Sequence, residues 1–384
     1  MATPDQIIPD PITGVQVFTA ALPLAQPFRH ASSGLVDRLD QVVVRVRTRS
    51  GAVGWGEVRG NAPYVTGETQ SRVVASLTEV LAPRLIAAEL SAPLAIARTL
   101  DAAITGNTTA KAALDIAVHD AVARAAGVPV QSLLGGGGVR TIATHATLPF
   151  CPPEAAAAQA LSYVERGLRT IKLRVGAESF ATDIDRLEAV RAALAGHPLG
   201  GAVALAVDAN QAWQAKLALA RCKRLAGFDL AWIEQPVPAG DVAGLRAVRN
   251  AVDTLVIADE SCGTASDLLA LIAADAVDGI HVKLCKAGGI RKLMAMLAIA
   301  EAAGLACMIG QMDEGMLATA AGLHCAAAAP APLSCELWGY QRVASQPFAG
   351  LEMRDGLMHL PGGPGLGITV DEAGLQPVAA FGDG

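Results

Sequence analysis

The sequence predicts an α/β protein in which a (β/α)8 barrel of the TIM type follows a separate α+β domain. Two patterns carry that prediction. Between residues 136 and 360, short apolar runs alternate with alanine-rich helical stretches, and eight such runs occur. Before residue 60, apolar positions alternate singly with polar ones, the period of a half-buried antiparallel sheet.

Residues 1–135 form the first unit. Val15-Gln16-Val17-Phe18 and Val42-Val43-Val44-Arg45-Val46 read as strands, and Gly51, between Arg49 and Ala52, suits a hairpin turn. From Thr69 to about Ala126 the spacing becomes helical. Ala112, Leu114, Asp115, Ala117 and Ala121 fall in one long helix ended by Gly127-Val128-Pro129. The repeating unit begins after Gly135 to Gly138, with strands expected at 142–148, 170–175, 203–207, 230–233, 255–258, 279–282, 306–309 and 333–336. Strands separated by helices pair in parallel, and eight units closing on themselves make a barrel of about 250 residues. An open doubly wound sheet uses the same units, but no G-x-G-x-x-G follows the first strand. The Gly- and Pro-rich stretch 361–384 is expected to return to the first domain.

Composition narrows the function. Of 384 residues 52% are hydrophobic and 17% charged, which suits a compact core and not a disordered chain. A net charge of -6 without a dense Lys/Arg run offers no basic surface to nucleic acid or an anionic membrane. Seven scattered cysteines with no C-x-x-C pair point away from a disulfide framework or zinc site. Met1 to Asp10 lacks a signal-peptide pattern, and the alanine-rich run 318–329 is too short and too interrupted to span a bilayer. A cytoplasmic protein is expected.

In such a barrel the chemistry sits where strands end. The third strand ends in Val207-Asp208-Ala209-Asn210, the fourth in Ile233-Glu234-Gln235-Pro236 and the fifth in Ala258-Asp259-Glu260-Ser261, so acids recur at intervals of 26 and 25 residues. Any one of these acids suits a helix N-cap, yet Glu is a poor cap and Glu234 precedes Gln235-Pro236. Three converging carboxylates repel unless a cation lies among them, and all-oxygen donors select a hard ion. Asp208, Glu234 and Asp259 are therefore expected to bind Mg²⁺.

Lys283, 24 residues beyond Asp259, ends the sixth strand. There a cation and burial are expected to lower its pKa until it serves as a general base. Lys286 is expected in a loop facing solvent. On the second strand, Lys172 and Arg174 share the inward face and suit a substrate carboxylate and its enolate. Glu336 is a further acid or hydrogen-bond donor candidate.

Together these residues resemble the enolase superfamily, specifically the mandelate racemase and muconate lactonizing enzyme group. Gly54-Trp55-Gly56-Glu57, Ala112-Ala113-Leu114-Asp115 and Leu133-Leu134-Gly135-Gly136 extend the resemblance over nearly the whole chain. It implies a capping domain built from the N-terminal region and C-terminal tail, a modified barrel, one Mg²⁺, a small carboxylate substrate and a homo-oligomer. It also implies that cap loops select the substrate, here involving His30 and Tyr64, and that Trp338 stacks on a cationic or ring-shaped substrate or packs the barrel mouth. Relatives carry Lys-x-Lys on the second strand, whereas this chain has Lys172-Leu173-Arg174. A guanidinium stays protonated and is a poor base, so two-base racemisation is in question. The expected activity is a dehydratase or racemase/epimerase acting on an amino acid derivative such as hydroxyproline or proline betaine. The alternatives are a muconate-type cycloisomerase and a silent metal- and carboxylate-binding relative.

Overall fold

The computed structural model describes residues 9–30, 34–176, 179–330 and 332–383. Its first layer is an antiparallel sheet of β1 (Ile12–His30), β2 (Gly34–Thr48) and β3 (Val53–Arg59). Gly51, at φ 89°, turns the β2–β3 hairpin. A side chain there meets left-handed backbone that only glycine adopts without strain. Helix α1 (Thr108–Ala125) lies on this sheet and ends before Gly127. Its fit explains the glycines of β3: a Cβ on Gly54 or Gly56 would stand 2.0 Å from the carbonyl oxygen of Ala117 or Ala113. The facing helix is small-sided for the same reason, with Ala113, Ala117 and Ala121 fully buried.

The barrel follows as strand–helix units. Its first half is β4 (Ala146–Leu148), α2 (Pro153–Glu165), β5 (Thr170–Arg174), α3 (Phe180–Ala195), β6 (Ala204–Asp208), α4 (Ala215–Leu225) and β7 (Leu230–Glu234). Its second half is α5 (Val242–Arg249), β8 (Leu255–Ala258), α6 (Ala265–Ala273), β9 (Gly279–Lys283), α7 (Ile290–Ala302), β10 (Ala306–Gly310), α8 (Met316–Ala328) and β11 (Ser334–Glu336). The eight strands pair in sequence order and in parallel. The seam between first and last is closed by His145 N–H donating to the Cys335 carbonyl at 2.8 Å. A last strand, β12 (Gln376–Gly382), adds to the free edge of β1.

The first barrel strand differs from the expected 142–148. Thr141–Ala143 pairs instead with Leu357–His359, and only Ala146–Leu148 joins the barrel. Thr144 breaks the run: its hydroxyl donates to the Cys335 carbonyl at 3.0 Å and accepts from Leu337 N–H at 3.1 Å.

Two acids of the first layer complete the barrel's helices. Glu57 accepts from Gly315 N–H at 3.0 Å and Ala318 N–H at 2.9 Å at the start of α8, and Asp115 accepts from Ile290 N–H at 2.6 Å at the start of α7. Each carboxylate takes orphan amide donors at the positive end of a helix dipole.

His324, buried on α8, yields a pH prediction. Its Nδ1 accepts from Gln131 N–H and its Nε2 faces the Leu366 carbonyl, each at 3.3 Å, so one nitrogen must stay unprotonated. Burial lowers its pKa to about 4, despite the Leu366 carbonyl. A histidine with a depressed folded pKa contributes stability above its unfolded value of 6.5 that is lost as pH falls towards about 4. Over that window its loss amounts to about 3 kcal/mol. Urea unfolding from pH 7 to pH 4.5 should show a shallower fall in His324→Gln than in the parent; identical slopes would refute this.

Candidate active site

The register of parallel strands brings the predicted acids together. Asp208 pairs with Arg174 on one side and Glu234 on the other, at the C-terminal ends of β5, β6 and β7. Asp208, Asp259, Lys172, Arg174, Lys283 and Glu336 all line one cavity at the barrel mouth, roofed by Tyr64 and Val65 from the first layer. Glu234, fully buried, lies just beneath.

Lys172 Nζ stands 3.1 Å from Glu234 Oε2, 3.1 Å from Glu336 Oε2 and 3.4 Å from Asp208 Oδ2. Burial disfavours its charge, but Glu234 and Glu336 outweigh burial and raise its pKa. Lys283 Nζ lies 2.6 Å from Asp259 Oδ2. Here too burial opposes the ammonium and Asp259 prevails, holding the pKa well above the lysine range in the protein alone, whereas the lowered value expected from sequence belongs to the site with its cation. The cause is the direct ion pair, which spacing along the chain does not disclose.

Lys286 is a second correction. Expected to face solvent, it is 5% exposed, ion-paired to Asp259 Oδ1 at 2.5 Å, and donates to the His281 carbonyl at 2.9 Å. A single helical turn, Leu284–Ala287, follows β9 at once and folds its ammonium back under the strand ends.

Sequence reasoning passed over several neighbours. His281 Nδ1 is 2.8 Å from Glu234 Oε1 and orients that carboxylate. Thr147 donates to Glu336 Oε1. Asn210, Glu260, Gln311 and Asp313 also line the mouth. Polar residues at barrel strand ends were the available signal for Asn210, Glu260 and Gln311; Thr147 lies in a run that reads only as strand. His30 ends β1, and its side chain lies outside the described residues. Trp338 is buried and does not line the mouth; it packs edge-on to Tyr163 with the Arg342 guanidinium over its ring.

The donor set fits a hard divalent cation. Burial and Glu234 push the Asp208 carboxyl well above the usual carboxylate range, so its charged form gains most from a nearby cation. Burial and Asp259 likewise raise Glu260 to about 7. Glu260 Oε2 and Asn210 Oδ1 are buried oxygens without a hydrogen-bond partner. Potential ligand atoms of Glu234, Asp259 and His281 converge within 4.8 Å, and Asp208, the third expected ligand, is not in that group. Since His281 is already hydrogen-bonded to Glu234, oxygen donors dominate, as Mg²⁺ prefers.

A barrel mouth carrying paired acids and lysines, roofed by an appended domain, defines an enzyme of proton-transfer chemistry. Residues 12–135 match the mandelate racemase / muconate lactonizing enzyme N-terminal domain, and residues 155–374 match the enolase C-terminal domain-like family. The chain therefore belongs to the mandelate racemase/muconate lactonizing enzyme family of the enolase superfamily, and is an isomerase of the racemase/epimerase or cycloisomerase kind. It is 35% identical to the L-Ala-D/L-Glu epimerase of Bacillus subtilis, over 93% of this chain and 96% of that protein. It is 34% identical to chloromuconate cycloisomerase of Cupriavidus necator, over 94% and 96% of the two chains. A dipeptide epimerase from Cytophaga hutchinsonii, solved with Mg and D-Ala-L-Val, superposes with a TM-score of 0.89 at 28% identity, covering 96% of this chain and 99% of that one. Among the described residues no helix is long and apolar enough to cross a membrane.

Proposed function

We propose that this enzyme is a Mg²⁺-dependent isomerase of the cycloisomerase kind, in which Lys283 alone moves the α-proton of a small dicarboxylate. One observation carries this reading. Arg174 occupies the place of the second lysine, and its buried Nε and Nη1 have no hydrogen-bond partner at the mouth. An unpartnered buried guanidinium edge asks for a carboxylate, which it grips in two-pronged fashion.

Asp208, Glu234 and Asp259 would hold the ion, which when bound neutralises one substrate carboxylate and the charge developing beside it. Lys283 Nζ takes the proton from the α-carbon. The electron pair forms the α,β double bond while a carboxylate oxygen departs from the β-carbon towards Arg174, opening a lactone to an unsaturated diacid; the reverse closes it. Lys172 keeps Glu234 and Glu336 in place. The cavity of about 30 Å³ admits such a molecule only when Tyr64 and its neighbours part.

The test is proton NMR in D₂O with Mg²⁺ over muconate, muconolactone, N-succinyl amino acids, dipeptides, hydroxyproline and proline betaine. Interconversion of diacid and lactone, with deuterium entering one face, is expected. Racemisation of an amino acid derivative with deuterium in both enantiomers would overturn the single-lysine reading. Arg174→Lys restores an amine opposite Lys283. It should introduce α-exchange on the second face and raise KM for the diacid about tenfold, as lost charged hydrogen bonds do; unchanged stereochemistry would count against it.

A further inference from the structure

A second cavity, of about 360 Å³, lies on the outer side of Phe28 between β1, the end of α2 and the turn after β11. That volume falls within the range of about 300–1,000 Å³ common to small-molecule sites. Its walls include Phe28, Tyr163 and Trp338, and its charged lining is of one sign: Arg166 and Arg342, with no acid among the residues that line it.

The two guanidiniums lie over aromatic rings. Arg342 Cζ lies 5.1 Å from the Phe28 ring centre and 5.3 Å from that of Trp338, and Arg166 Cζ lies 5.7 Å from Trp338. A guanidinium held near a ring by cation–π attraction still has N–H donors for acceptors. Arg166 gives one N–H to Gln341 Oε1 at 3.0 Å and, among the described residues, has no carboxylate within ion-pairing distance. Arg342 spends its inner edge on the Thr147 carbonyl at 2.8 Å and lies 3.7 Å from Asp313.

We propose that this cavity is a binding site for a planar aromatic carboxylate, with the ring among Trp338, Tyr163 and Phe28 and the carboxylate on Arg166, the charge of Arg342 adding to its attraction. The site stands apart from the acids that would hold Mg²⁺. Phe28 links the two cavities, with Arg342 Cζ 5.1 Å and Arg174 Cζ 5.5 Å from its ring centre. The carboxylate therefore arrives either as a free small molecule or as the outer end of a substrate.

Calorimetric titration of the full chain with sodium benzoate tests the site. Saturable binding that persists in EDTA is expected, weakened tenfold or more in Arg166→Ala and in Ser162→Asp, which sets a negative charge at the exposed rim. Equal affinity in the parent and both variants, or binding that disappears with EDTA, would overturn the proposal. Repeating the titration with Mg²⁺ and muconate separates the sources. Displacement of benzoate makes the cavity the outer end of the substrate site, and simultaneous binding makes it a separate one. Binding is read without turnover, so the result is independent of the reaction proposed above.

Discussion

Lys283→Ala should lower turnover about 10²–10⁴-fold, the usual contribution of a positioned general base, while Mg²⁺ binding is retained. The lysine stands 2.6 Å from Asp259, and Lys286 holds the same carboxylate through its other oxygen. Removing Lys283 therefore leaves Asp259 paired and the barrel intact. On the reading proposed above, a divalent cation would compete with the ammonium for Asp259, and its binding there would free Lys283 to accept a proton. Lys283→Arg keeps the charge without an accessible base and should be as inactive as the alanine variant. Steady-state kinetics beside Mg²⁺ calorimetry decide the matter. Turnover surviving in Lys283→Ala, or recovered in Lys283→Arg, would assign the base elsewhere.

Chelation has the other large effect. EDTA should abolish turnover completely and reversibly, with Mg²⁺ restoring it, while the protein stays folded. The fold persists because Lys172 meets Glu234, Glu336 and Asp208, and Lys283 and Lys286 meet Asp259. Stability should fall only by the binding linkage, about 2.7 kcal/mol when Mg²⁺ stands at 100 times its Kd. Assay and thermal melts in EDTA test both halves: residual turnover would refute the need for the ion, and unfolding would refute the role given to the lysines.

The barrel was legible because parallel strands are buried on both faces and so appear as apolar runs, each ending in the polar residue that meets the mouth. Asp208, Glu234, Asp259 and Lys283 could be read in that way, and the period of two put Lys172 and Arg174 on one face. Lys286 could not, since one turn after β9 reverses its direction and no spacing reports that reversal. The break in the first barrel strand was hidden for a related cause: Cys335, which Thr144 touches, lies far off in the chain. Glu57 was visible as part of a motif, but its partners Gly315 and Ala318 come from the far end of the barrel.

The carboxylates of Glu57 and Asp115 bear on how this architecture is inherited. A recombination junction near residue 135 looks harmless along the chain, yet it would separate α7 and α8 from the acids that finish their first turns. A grafted roof lacking either acid would leave buried amides unsatisfied, at about 1–3 kcal/mol for each such group. Chimeras joined there should survive only when both acids are carried over, which makes roof and barrel a matched pair in folding.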